Sequence, residues 1–248
     1  MLELPDNIDY IAAVFPRAAF IIRKFFENYR GGRVLDVGCG KGRFTKYFGK
    51  LGIDILGIDI DENEIKKAID SNEYDNVQFA CVNVNEITGR VFSGILLTEV
   101  LEHTEEPSNF LKEIYRLCEN DGFLILTIPN GYSFKEVLTA AIRLLRNIKT
   151  FAKLVKWYRK VTRKDQLFND SPHIQQFTLR KIRYLIKESG FTIKEEFYCD
   201  IWSGFLWKFF VWIPVPFFVR KIERRIMKYV PYYFLGDWGF LCVKKNQG

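Results

Sequence analysis

The chain has 248 residues, is 48% hydrophobic and carries a formal net charge of +7, enough apolar content for one large core or two small ones. Its five cysteines (Cys39, Cys81, Cys118, Cys199 and Cys242) are odd in number and scattered, with no C-x-x-C pair. That argues against a zinc site or a disulfide framework and implies a reducing compartment. The opening MLELPDNIDY lacks a basic stretch followed by an apolar run, so a secretory signal is not expected and the cytoplasm is the expected location.

In chain order, a helix is predicted over about Ile8 to Tyr29. Arg17 in it reads as a solvated surface charge more readily than as a group able to reach a ligand carboxylate. The segment VLDVGCGKGRFT (Val34 to Thr45) follows, an apolar strand that runs into Gly38, Gly40 and Gly42, with a helix from Arg43. Glycines at such a turn let the backbone approach a ligand closely, and the helix start offers unpaired N–H groups. The next apolar strand, Asp54 to Ile58, ends at Asp59. That is about twenty residues on, where a carboxylate grips ribose hydroxyls. A nucleoside ligand is implied. A dinucleotide fingerprint would read G-x-G-x-x-G, whereas this turn reads G-x-G-x-G and is preceded by Asp36. Asp36 would repel a pyrophosphate but suits a ligand with an ammonium group and no phosphate. S-adenosylmethionine is such a ligand. Cys39, inside the turn, is expected to pack and not to act as a nucleophile.

Alternating helix and strand patterns continue to Asn130, predicting an α/β fold with an open, mainly parallel sheet covered on both faces. Two segments interrupt the plan. Residues 132–171 hold ten Lys/Arg against three Asp/Glu, and residues 201–235 hold six against one, so together they carry all of the basic excess. The first spaces apolar residues at three and four, from Phe134 to Val155, with Arg146, Lys149, Lys153, Lys156 and Lys160 along another face. Such a helix can lie on an anionic membrane or close over a pocket as a lid. The second holds three of the five tryptophans beside Arg220, Arg224 and Arg225, and Pro214 and Pro216 break an apolar run too short to span a bilayer. It suits a membrane interface, a packed core or a homodimer contact. Nucleic acid is not expected as a partner, because the basic stretches are too apolar for a phosphate track.

From VLDVGCGKGRFT onward the chain resembles the class I S-adenosylmethionine-dependent methyltransferases. LGIDI ending at Asp59 is similar to their ribose-binding strand end, and VQFACVNVNEI to their third strand and adenine-contacting turn. ILLTEVLEHTEEPSNFLKEIYRLCENDGFLILTIPN resembles the fourth strand through the fifth, and HIQQFTLRKIRYLIKESGFTIKE the late helix and sixth strand. The resemblance implies a Rossmann-like, doubly wound, seven-stranded sheet with six parallel strands and a last, antiparallel strand (GFLCVKK) inserted beside the sixth. One methyltransferase domain over residues 1–248, carrying 132–171 and 201–235 as insertions, is expected. Gly38, Cys39, Gly40, Asp59, Ile60, Asn83, Val84 and Glu99 are expected to bind the cofactor, with Asp36 orienting its amino group. The family usually has Asp where this chain has Asn83. Asn keeps the carbonyl acceptor and loses the charge, so somewhat weaker cofactor binding is expected.

Within this class, Glu99-Val100-Leu101-Glu102-His103 looks like the post-strand E-x-x-E-H of the ubiquinone-biosynthesis O-methyltransferases, where two glutamates and a histidine are associated with a divalent metal. A metal such as magnesium is not expected here, since the same residues read more readily as an ordinary helix start in which Glu102 and His103 shape the pocket rim. His103 and His173, the only two histidines, are the candidates for a catalytic base or acceptor contact. The implied function is methyl transfer to a small-molecule acceptor. An amphipathic or lipid-linked hydroxyl at a membrane surface is preferred, with a soluble metabolite or sugar, or a non-catalytic cofactor-binding module, as alternatives. The location then becomes cytoplasmic and peripheral on the membrane.

Overall fold

In the computed structural model, which describes residues 5, 8, 16–130, 174–199 and 236–245, helices and strands alternate along the chain. Helix α1 (Pro16–Asn28) opens on a proline, whose fixed φ and missing N–H cost nothing at a first helical position. It buries Ala19, Phe20, Ile21, Ile22, Phe25 and Phe26. Strand β1 (Val34–Val37), helix α2 (Arg43–Gly49), strand β2 (Ile55–Asp59), helix α3 (Glu62–Asp70) and strand β3 (Val77–Cys81) follow. Strand β4 (Phe92–Thr98), helix α4 (Pro107–Leu117), strand β5 (Cys118–Pro129), helix α5 (Leu179–Glu188) and strands β6 (Thr192–Cys199) and β7 (Asp237–Val243) complete the order. Single 3-10 turns lie at Val84–Glu86 and Leu101–His103. The two expected insertions and His173 lie outside the described residues, as does part of the expected leading helix.

The strands form one seven-stranded sheet in the order β3-β2-β1-β4-β5-β7-β6. Strands β1 to β5 pair in parallel, and β7 runs antiparallel between β5 and β6. The expected Rossmann-like sheet, with its last strand reversed beside the sixth, is what is found. All four residues of β1 are buried, as a parallel strand covered on both faces requires. The order reverses between β1 and β4, so the loops leaving them diverge and open a crevice at the carboxyl edge. Strand β7 begins at Asp237, two residues before the predicted Gly239, and Asp237 is registered with Pro129 and Cys199. Its first residue therefore belongs to the carboxyl edge.

The sheet's two faces carry separate apolar clusters. One holds α1 and Phe48 of α2, and the other holds the apolar faces of α4 and α5. Phe25 organises the first, stacked on Phe48 at 4.0 Å between centroids and edge-on to Phe123 at 5.7 Å. Phe20 stacks on Phe197 at 4.8 Å, in space that a Cβ at Gly239 would enter to 2.6 Å. These rings fix α1, and with it Arg17, against β5, β6 and β7. Among the described residues no helix is long and apolar enough to cross a membrane. Phe25 is fully buried, so Phe25→Ala should cost about 3–5 kcal/mol of unfolding free energy. A lowered midpoint in urea denaturation, with an unchanged slope, is the expected result.

Candidate active site

The crevice floor is the turn after β1. The N–H groups of Gly38 and Cys39 both donate to the Ile58 carbonyl, at 2.8 and 3.0 Å, which ties this turn to the end of β2. Gly38 has φ 69°, a left-handed conformation, and a Cβ there would meet Val100 Cγ2 at 2.3 Å. Gly40, at φ 51°, would place its Cβ no nearer than 4.0 Å to any neighbouring atom, that atom being Glu64 Oε2, so this side of the turn is open to a ligand. Its N–H donates to Asp59 Oδ2 at 2.8 Å, while Asp59 Oδ1 accepts from the Asp61 N–H at 3.0 Å. Two backbone donors thus hold the Asp59 carboxylate at the strand end. Ile60 beside it is 76% exposed.

At the next strand end, Asn83 caps the turn that holds Val84. Its Oδ1 accepts from the Asn85 N–H at 3.3 Å, and its N–H donates to Glu86 Oε1 at 2.8 Å. Val84 points its side chain into the core, so what it offers a ligand is backbone. Asp36 is buried beneath the glycine turn, and its Oδ2 accepts the Thr45 hydroxyl at 2.6 Å. Burial pushes its carboxyl up to about 7, with Thr45 opposing and the charge on Asp59 adding to the shift. Cys39 is half-buried, with Sγ 3.6 Å from the Gly40 carbonyl, and burial drives its thiol far up, as expected of a packing residue.

The other wall follows β4. Glu99 has φ 58°, uncommon for a side chain with a Cβ, and its N–H donates to the Thr127 carbonyl at 3.0 Å. Its Oε1 accepts the Thr127 hydroxyl at 3.3 Å and its Oε2 lies 2.6 Å from Arg17 Nη1. The same guanidinium nitrogen lies 3.3 Å from Asp237 Oδ2. Burial raises the Glu99 carboxyl, and Arg17 opposes that shift. The expectation of Arg17 as a solvated charge is therefore corrected, because α1 aims it at two carboxylates. Glu102 is 2% exposed, its Oε2 has no hydrogen-bond partner, and burial followed by the charge on Glu99 pushes it up to about 8. His103 Nε2 lies 3.9 Å from Glu102 Oε1, with its ring partly exposed. The N–H groups of Ile174 and Gln175 both donate to the Glu102 carbonyl at 3.1 Å, which fastens the chain next to His173 to this loop.

The structure thus gathers Gly38, Gly40, Asp59 and Ile60 at one crevice wall and Glu99, Glu102 and His103 at the other. Thr45, Thr127 and Asp237 were missed from the sequence. Asp237 becomes visible only once β7 is known to start at the carboxyl edge, and Thr45 only as the partner of a buried acid. The glycine cradle, the pinned acid at the end of β2 and the buried acid beneath the turn fit S-adenosylmethionine. A divalent metal does not fit the residues present. Glu99 is already engaged by a guanidinium, and among the described residues no three carboxylate, imidazole or thiol groups converge.

Residues 10–196 match the family described as a methyltransferase domain, and the chain belongs to that family. It is similar to the mitochondrial ubiquinone biosynthesis O-methyltransferase of Bos taurus, with 33% identity over 109 residues, covering 40% of this chain and 29% of that protein. With the ubiquinone biosynthesis O-methyltransferase of Bradyrhizobium diazoefficiens it shares 30% identity over 135 residues, covering 50% of this chain and 53% of that one. The chain thus spans about half the length of these relatives, or less. Among solved structures it is similar to the magnesium protoporphyrin IX methyltransferase of Synechocystis PCC 6803 with bound SAH. That likeness has a TM-score of 0.60 at 15% identity over 99% of this chain and 89% of that one, and it is a likeness of fold.

Asp36 gives the site a pH signature. Its carboxyl rises from 3.8 to about 7 on folding, so the native state holds this proton more tightly than the unfolded chain does. The resulting stabilisation is full below about pH 4 and lost as the pH rises to about 7. The stability of the wild type relative to Asp36→Asn should therefore fall through that window by roughly 1.4 kcal/mol per pH unit. Urea denaturation of both chains at several pH values checks this; a difference that does not change with pH would contradict it.

Proposed function

We propose that this S-adenosylmethionine-dependent methyltransferase O-methylates an amphipathic or lipid-linked small molecule at a membrane surface. The observation that carries the reading is where the two basic, aromatic-rich segments are anchored. Residues 131–173 leave after Pro129 and Asn130 and return at Ile174, which is bonded to Glu102. Residues 200–235 leave after Cys199 and return before Asp237, its partner in register. All four anchors lie on the carboxyl edge, beside the crevice. Positive charge and tryptophan are thus concentrated in segments tethered to the side from which an acceptor enters, a pattern suited to an anionic interface. The relatives named above are O-methyltransferases, which favours oxygen as the acceptor atom.

When bound, S-adenosylmethionine supplies a methyl group already activated on a sulfonium. What the chain must add is alignment, because an in-line displacement gains most from a fixed approach of donor and acceptor. Asp59 would hold the ribose hydroxyls, and the turn at Asn83 and Val84 would receive the adenine. The open backbone at Gly40 lets the ligand lie close, and Asp36 favours its ammonium end. Glu99 and Arg17 border the acceptor side. The acceptor's proton would pass to a base, for which His103 and His173 are the candidates.

Two readouts test the reading together. Methyl-labelled cofactor incubated with the protein and an extract of its source cells should send label into the organic phase, and the protein should sediment with anionic liposomes at low salt. Label confined to the aqueous phase, with no sedimentation, would contradict the membrane and lipid parts and leave a methyltransferase of soluble metabolites or sugars.

A further inference from the structure

The carboxylates around Glu99 already have a cation, and it belongs to the chain. Arg17 Nη1 stands 2.6 Å from Glu99 Oε2 and 3.3 Å from Asp237 Oδ2, so one guanidinium bridges the ends of β4 and β7. A hard divalent ion would need that same space, because it binds carboxylate oxygens at roughly 2.0–2.6 Å and requires about six ligands. A guanidinium keeps its charge at any pH a protein tolerates, so it does not yield the position by losing a proton. Arg17 is also not a passing surface charge. It lies on the first turn of α1, whose Phe20 and Phe25 are locked in the aromatic cluster on β5, β6 and β7. The remaining members of the E-x-x-E-H stretch point to the same result. Glu102 is buried, with its nearer oxygen 3.9 Å from His103 Nε2, and neither side chain joins Glu99 in a three-ligand group among the described residues.

We infer that Arg17 is the resident cation of the acceptor pocket, holding Glu99 and Asp237 in the place the E-x-x-E-H resemblance assigns to a divalent metal, so that acceptor binding is metal-independent. Its description as an acceptor pocket rests on the methyltransferase reading above. The cation exchange itself does not, and it can be measured without any acceptor or turnover.

Manganese(II) is the probe, added to the full-length chain and followed by the loss of the free-ion signal in electron paramagnetic resonance. The wild type should leave that signal unchanged. Arg17→Met should reduce it, because the freed Glu99 and Asp237 carboxylates can hold such an ion with waters filling its other positions; Arg17→Lys should behave as the wild type, and Arg17→Met combined with Glu99→Gln should restore the signal. A wild-type chain that binds manganese and loses it on Glu99→Gln would overturn the inference, and that comparison needs no Arg17 variant to fold. A folded Arg17→Met chain that binds no manganese would overturn it too. Label transfer that fails while the manganese pattern holds would refute the methyltransferase reading and leave the resident cation standing.

Discussion

The site depends on a constraint of parallel strands, namely that β1 must pair with β2 on one side and β4 on the other. Pairing in register brings the carboxyl ends of all three strands to one edge, and the reversal of order there leaves a gap that no crossover fills. The hydrogen bonds from Gly38 and Cys39 to the Ile58 carbonyl then hold the glycine turn against that gap. From this follow the placement of Asp59 by two N–H donors, the burial of Asp36 under the turn, and the position of Glu99 on the opposite wall. Strand β7 adds the final element. Because it runs backwards between β5 and β6, it delivers its first residue, Asp237, to an edge otherwise built from strand ends.

Charge is unevenly distributed around this gap. The carboxyls of Asp36, Glu99 and Glu102 are all pushed upward by burial, and the guanidinium beside Glu99 comes from α1, outside the sheet. A helix that looks like a mere cover is therefore an electrostatic part of the site, packed on the sheet by ring stacking. Glu102 stands apart as a buried acid with one oxygen unsatisfied. Such groups are costly to keep and are found where a protein uses them.

Much of this was legible in the sequence, for physical reasons. Buried parallel strands write themselves as continuous apolar runs, so VLDV and ILGID could be placed to within a residue, and the glycine triplet marks a turn of positive φ with no room for a Cβ at Gly38 and Gly42. The reversed last strand came from the resemblance and matches the sheet. What periodicity could not give was the company each charge keeps. Arg17 looked like surface because nothing local distinguishes a helix arginine aimed at solvent from one aimed across 220 residues of sequence at Asp237. Thr45 and Thr127 read as ordinary helix and strand residues, and only tertiary packing turns them into partners of Asp36 and Glu99. The strand shift that exposes Asp237 to the edge is two residues, within the uncertainty of any boundary read from pattern alone.

The most direct measurement is calorimetric titration of the chain with S-adenosylhomocysteine, the demethylated product of the cofactor. Binding of one molecule per chain, lost or weakened on Asp59→Ala in a variant that remains folded, is the expected result. No heat of binding for a folded wild-type chain, with either the product or S-adenosylmethionine, would contradict the assignment of the crevice as a methyl-donor site.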